Sequence, residues 1–361
     1  MGQTHSNPLE ENINSLTTRQ SQLIRAMRFP LIVLVLYEHS VGAYAGIGTP
    51  YGFLSEMISH HLCPIAVCWF FFFSGFLFFW NMGEERFSFK WTVDKWKRRI
   101  WTLLIPYLCW NTLTVVAIIL KNYGFSLFGI PLSQDEMLTV QQGPLFWYIS
   151  GPADFPLWFM LDMIVMTLIT PFCYPIYKKW PWISLALLVL IYFSPWKPQT
   201  ISIRAIFFFS LGAWMSINRF HFLSIGKSIK VFAAIAAIIL IIGATASVEK
   251  PWHEWLLRAF YPFGMITFMN VCNWLIDNDG RRERLTKLSA SVFFIYAAHE
   301  IYILGWTKGL FVRIFGEGLL GTWIKFLFVP IIVLAVCLVL YRLLNRLMPR
   351  TLAFLCGGRN R

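Results

Sequence analysis

Two residues on the chain's first long apolar stretch have the types and spacing for chemistry. In Arg25-Ala-Met-Arg28-Phe-Pro-Leu-Ile-Val-Leu-Val-Leu-Tyr37-Glu38-His39-Ser40, Arg28 and His39 stand eleven residues apart, close to three helical turns. On a helix they share one face, roughly 16 Å apart along the axis. An ionisable side chain in hydrocarbon costs about 3 kcal/mol or more, so such residues tend to line a cavity or a pathway. A cation near one end and a titratable base deep along the same stripe describe a reaction path better than an anchor.

The rest of the chain must supply the medium that makes this stripe unusual. Of 361 residues 57% are apolar, 18% aromatic and only 14% charged, against about 25% charged in soluble domains. The sequence therefore predicts an all-α, polytopic membrane bundle. About ten spans are expected, near 23–44, 62–82, 99–120, 157–177, 181–194, 201–218, 229–247, 255–276, 288–307 and 322–345. A polar tail, 1–22, is read as mobile. One integral domain then runs over 23–347, followed by a short basic tail, 348–361. The first apolar run is long enough to span, so no cleavable signal peptide is expected.

The net charge of +13 raises nucleic acid as a partner, but its distribution excludes that reading. With the N-terminus inside, the cytoplasmic segments hold 22 of the 31 Lys and Arg and the opposite segments hold six. This split obeys the positive-inside rule and places both termini in the cytoplasm. The longest loop, about 121–156, then faces outward, with Phe146-Trp147-Tyr148 readable as a lid, a carbohydrate-stacking surface or an interfacial aromatic belt. Seven cysteines form no CxxC pair and no His/Cys ligand spacing, so neither a metal nor a permanently bound cofactor is expected.

In this topology seven ionisable groups occupy one layer in the outer half of the membrane: Glu38, His39, Asp162, Arg204, Arg258, His299 and Glu300. A structural ion-pair network would explain such a layer, and an interfacial snorkelling role suits Arg258. Two histidines among acids and arginines favour a polar active-site cavity. At the cytoplasmic end stand Arg25, Arg28 and the run Lys95-Trp96-Lys97-Arg98-Arg99. Such clusters bind anionic lipid headgroups or a soluble polyphosphate; charge alone favours the lipid.

Six blocks, in order, resemble the acyltransferase-3 family of integral membrane acyltransferases, which modify bacterial surface carbohydrates and related acceptors. They are the Arg28-to-His39 spacing, Ser74-Gly75-Phe76 closing the second span, and Lys95 to Arg99 followed by Pro106-Tyr107. The others are Leu157-Trp158-Phe159 with Asp162, the Phe-rich stretch from Phe207 to Gly212, and Tyr296-Ala-Ala-His299. One block departs from the pattern, since Lys95-x-x-Arg98 stands where the family often has Arg-x-x-Arg. Some members also carry a C-terminal hydrolase-like domain, which this sequence lacks.

The resemblance implies a bacterial inner-membrane enzyme that moves an acyl group from acyl-CoA, acetyl-CoA first among donors, to a hydroxyl of a carbohydrate or lipid-linked glycan. Arg28, Lys95, Arg98 and Arg99 would hold the donor, whose pantetheine arm is about as long as the Arg28–His39 offset. His39 would be the general base, because imidazole titrates near operating pH. Adjacent helical residues project about 100° apart, so Asp162 or Glu300 suits it as a partner better than Glu38. His299 is open to acceptor binding, oxyanion stabilisation or proton transfer. Glu38, Trp158, Arg204 and Tyr296 are assigned to the acceptor side or the cavity wall. The competing reading is a transporter or flippase of a polar or lipid-linked glycan, using the same layer as its substrate site.

Overall fold

Phenylalanine-rich Ile65–Trp80 is apolar on every side, and a helix of that kind is stable in a protein only when other helices surround it. In a computed structural model that describes residues 8–41, 46–80, 87–129 and 134–358, thirteen of its sixteen residues are buried. It is the axis of an all-helical bundle, with no strand among the described residues. Burial falls off toward the rim. The most apolar part of Pro50–Trp80 is 83% buried, that of Leu319–Leu347 only 28%.

Two glycines bring the axis close to its neighbour Ser210–Ile217. A Cβ on Gly75 would stand 2.0 Å from the Phe209 carbonyl oxygen, and one on Gly212 would stand 2.2 Å from that of Phe72. Small residues permit such backbone approach within membranes. Gly75→Ala and Gly212→Ala are each expected to destabilise the fold by about 1–3 kcal/mol, as overpacked contacts do. Thermal unfolding in detergent reads this directly, and unchanged midpoints in both variants would contradict the close contact.

Among the described residues, five helices are long and apolar enough to cross a membrane: Pro50–Trp80, Phe89–Leu127, Phe155–Lys179, Asp279–Phe315 and Leu319–Leu347. A sixth results if Phe222–Ser228 and Lys230–Ala246, bent by 77°, are one span. The remaining expected spans also fall on helices. Pro181–Phe193 and Ala205–Ile217 are short, while Pro8–Ser40 and His253–Leu275 carry their own ionisable residues.

Two expectations change. The tail read as mobile is helical from Pro8 onward. Arg19 secures it by hydrogen bonds to Asn273 Oδ1 (3.1 Å) and to the Asn273 carbonyl (2.8 Å), and by an ion pair with Asp277. The stretch 121–156, read as a loop, is largely helical, because helix continues to Leu127 and resumes over Gln134–Ile149. Gly143, at φ 79°, kinks the second piece. The Trp147 and Tyr148 carbonyls accept from the Tyr107 hydroxyl, and the Tyr148 hydroxyl bonds Thr112 at 2.7 Å. This segment packs on the helix Ile105–Leu127; its aromatic run is not a free platform.

Among the described residues four π-helical segments interrupt the bundle: Glu56–Leu62, Ile100–Leu104, Ala205–Phe209 and His299–Ile303. Pro64 and Pro106 follow the first two. Proline lacks the N–H that continues the ladder, and a wider turn accommodates its ring. Each segment contains or directly follows a polar residue inside the bundle, namely Glu56, Arg99, Arg204 and His299. Such bulges recur at functional sites because they re-aim side chains.

Candidate active site

The decisive local feature is the break after Val292–Ala298. Ile301 (ψ 81°) and Tyr302 (φ 63°) leave helical geometry before Leu304–Phe315 resumes. A positive φ on tyrosine is strained. His299 and Glu300, the two residues just before this break, both reach the end of the first helix. Glu300 Oε1 lies 3.5 Å from His39 Nδ1, and the His39 and His299 rings are 5.3 Å apart.

His299 is fully buried. Its Nδ1 donates to the carbonyls of Tyr296 (2.8 Å) and Ile295 (3.1 Å), while Nε2 has no hydrogen-bond partner. Its single proton is thereby assigned, leaving Nε2 as a bare acceptor. Neither His299 nor Glu300 is part of the wall of the cavity that His39 faces.

That cavity, about 410 Å³, is lined by Glu38, His39, Phe70, Phe155, Pro156, Trp158, Phe159, Ser202, Arg204 and Tyr296, with Val35 and Val67. Its mix of an acid, an arginine and several rings suits a polyhydroxylated ring, which offers hydroxyl edges and apolar faces. The Arg204 guanidinium sits 5.8 Å from the Tyr261 ring centre, and the Tyr296 hydroxyl donates to the Pro156 carbonyl at 2.6 Å.

Two members of the expected polar layer turn away. Asp162 accepts from the Ser202 backbone N–H at 2.9 Å, so the carboxylate beside His39 is that of Glu300. Arg258 is buried and does not snorkel. Its Nη1 donates to the Tyr192 and Ser194 carbonyls, both at 2.7 Å, closing the end of the helix Pro181–Phe193, whose last carbonyls lack helical partners.

A second cavity, about 270 Å³, holds Arg28 and Arg99 with Ser74, Leu77, Met160, Met163 and Phe293. It shares Phe70, Phe159 and Tyr296 with the first. These three rings stand between the two cavities, with centres 6.1 Å apart for Phe70–Phe159 and 5.9 Å for Phe159–Tyr296. A third cavity, about 290 Å³, shares Arg28 and Leu77 with the second and adds Gln20 and Arg25. Three cavities thus run in series from Arg25 to His39. Lys95 and Arg98 line none of them; the Lys95 ammonium sits 5.1 Å from the Trp91 ring centre, and Arg98 is exposed.

An acyltransferase-domain family matches residues 23–342, nearly the whole helical bundle. The chain belongs to the acyltransferase-3 family. Over 295 residues it is 25% identical to the "Succinoglycan biosynthesis protein ExoH" of Rhizobium meliloti (strain 1021), an alignment that covers 79% of this chain and 77% of that protein. No solved structure matches significantly. Together with the apolar helices, the family makes this a multi-pass membrane protein.

Within this acyltransferase-3 bundle, sequence reasoning missed several residues. Phe155 and Pro156 line the first cavity. Lys308 Nζ donates to the His39 carbonyl at 2.5 Å and to that of Val41 at 3.5 Å. An ammonium at a helix C-terminus satisfies orphan carbonyls and opposes the dipole, so Lys308 fixes the backbone that carries His39. Lys308→Met is expected to lower kcat by about 10-fold, the scale of one lost charge-assisted hydrogen bond, with donor affinity unchanged. A variant with normal kcat would leave Lys308 no positioning role.

A second polar cluster also went unread. His60 Nδ1 lies 2.8 Å from Glu56 Oε2, and His61 Nε2 lies 3.5 Å from Glu56 Oε1. His61 Nδ1 meets Thr245 Oγ1 at 2.8 Å, and the His61 and His253 rings are 5.0 Å apart. Glu56, His60 and His61 share the segment Glu56–Leu62, while Thr245 and His253 come from the helices Lys230–Ala246 and His253–Leu275; none lines the three cavities.

Proposed function

We propose that the protein transfers a short acyl group, acetyl first and succinyl second, from cytoplasmic acyl-CoA to a hydroxyl of a cell-surface or lipid-linked carbohydrate. The observation that carries this reading is the series of cavities joining Arg25, Arg28 and Arg99 to His39. The nucleotide phosphates sit at the arginines, because guanidinium binds phosphate through paired hydrogen bonds. The pantetheine arm lies in the apolar second cavity, and the thioester passes the Phe70, Phe159 and Tyr296 rings. The acceptor sugar rests against Trp158, Glu38 and Arg204. The relative's role in succinoglycan biosynthesis supports a carbohydrate acceptor.

His39 accepts the hydroxyl proton at Nε2 while Glu300 orients Nδ1–H. The oxygen attacks the thioester carbonyl, and the tetrahedral intermediate collapses to the ester with loss of CoA thiolate. The imidazolium then returns its proton to the thiolate, so His39 ends as it began. Direct transfer needs this one base and no acyl-enzyme. His299 acts through His39, because its donor is committed to backbone carbonyls.

This reading includes the bacterial inner membrane, ten spans with both termini cytoplasmic, and a single catalytic domain over 23–347. The arginines then face the donor's compartment and His39 the acceptor's. The test pairs acetyl-CoA binding by purified protein with the acyl content of surface glycans in cells with and without it. Donor binding and lower acylation without the protein are expected. No donor binding, with glycan export lost instead, would favour a flippase.

A further inference from the structure

We propose that His39, His299 and Glu300 form a binding site for a divalent transition-metal ion of the Zn²⁺ class, whose occupancy silences the base. Each residue offers one ligand atom, and these atoms all lie within 4.8 Å of one another. A tetrahedral zinc with bonds of about 2.1 Å needs ligand atoms roughly 3.4 Å apart. The His39–Glu300 pair already stands at 3.5 Å.

His299 carries a second, independent observation. A metal-ligating histidine donates its other ring N–H to a carbonyl or carboxylate, which fixes the tautomer and aims the lone pair. The His299 Nδ1–H is held in this way by the carbonyls of Ile295 and Tyr296. Its Nε2 is left buried with no partner, a lone pair that no hydrogen bond satisfies. Two imidazoles and one carboxylate suit zinc-like ions rather than Mg²⁺ or Ca²⁺, which take oxygen ligands. The Lys308 ammonium, bonded to the His39 carbonyl, adds a like charge nearby and makes occupancy reversible.

The silencing follows from the tautomer and rests on the reading of His39 as base. An ion at Nδ1 displaces the proton there, and neutral imidazole then carries its proton on Nε2. The nitrogen facing the acceptor becomes a donor. The trio is split between residue 39 and residues 299–300, so no linear ligand spacing announces it.

The test uses full-length protein without a polyhistidine tag, treated with EDTA, desalted and titrated with ZnCl₂ against a chelating indicator. One equivalent is expected to bind. Glu300→Gln and His299→Ala are each expected to bind at least about 10-fold more weakly, and His253→Ala, in the other histidine cluster, normally. Thermal unfolding checks that each variant is folded; if His299→Ala is not, the near-isosteric Glu300→Gln decides. No saturable binding, normal binding by Glu300→Gln, or loss confined to His253→Ala would overturn the site. Saturating ZnCl₂ should cut acyl transfer at least about 10-fold, reversed by EDTA; bound zinc with full activity would overturn the silencing. Acyl transfer by metal-free protein that binds no zinc would sink the metal site alone and leave the acyltransferase reading standing.

Discussion

His39→Ala should abolish acyl transfer while leaving the donor bound. A positioned general base contributes about 10²- to 10⁴-fold, and among the described residues His39 is the one imidazole lining this cavity. Glu38 and Arg204 share the cavity wall, but arginine does not accept a proton at operating pH, and Glu38 is engaged electrostatically with Arg204. Initial rates of CoA release in the presence of acceptor provide the measurement, with acetyl-CoA affinity as the control. Loss of rate with donor affinity unchanged within about twofold is the expected pattern for a group that acts on the acceptor hydroxyl. Full activity would end the assignment. Loss of donor binding as well would show that the variant had disturbed the first helix.

Arg28→Ala should act at the other end of the path. Arg28 lies at the junction of the second and third cavities, with Arg99 on one side and Arg25 on the other. A hydrogen bond between charged partners is worth about 1.5–3 kcal/mol, so its loss should raise the donor KM roughly 10- to 150-fold. The kcat at saturating donor should fall much less, since Arg28 is remote from the thioester. Arg28→Ala and Arg99→Ala should not be additive, because both reach one ligand. Lys95→Ala and Arg98→Ala, outside the cavities, should change the donor KM little. Equal effects from all four would point to a diffuse lipid contact instead of a built phosphate site.

Much of this protein can be read in its linear order. Apolar runs separated by basic loops announce helices in a membrane, since lipid leaves no other way to satisfy a spanning backbone without closing a barrel. The eleven-residue spacing from Arg28 to His39 places both on one helical face, and the structure has Arg28 lining the second and third cavities and His39 the first. The six family blocks were legible as linear motifs, although three of them run into the π-helical turns at Ile100–Leu104, Ala205–Phe209 and His299–Ile303.

What the order of residues could not decide lies where helices are broken or meet. Adjacent residues on a regular helix diverge, so His299 and Glu300 could not both be assigned to His39. Both nevertheless reach the end of the first helix, Glu300 Oε1 3.5 Å from His39 Nδ1 and the His299 ring 5.3 Å from the His39 ring, an approach between distant elements that has no signature in composition. Asp162 and Glu300 were equal candidates as charges, and only the Ser202 N–H, some forty residues away, removes the first. Arg258 looked like a membrane-surface cation until the end of Pro181–Phe193 supplied two carbonyls for it. The helix Gln134–Ile149 and the docked Arg19 show the same limit, since polar segments fold where distant partners accept their hydrogen bonds. Local periodicity set the helices, the membrane and the Arg28–His39 stripe. Tertiary contact alone decided which carboxylate stands beside His39, and that cavities with shared walls lie between it and Arg25.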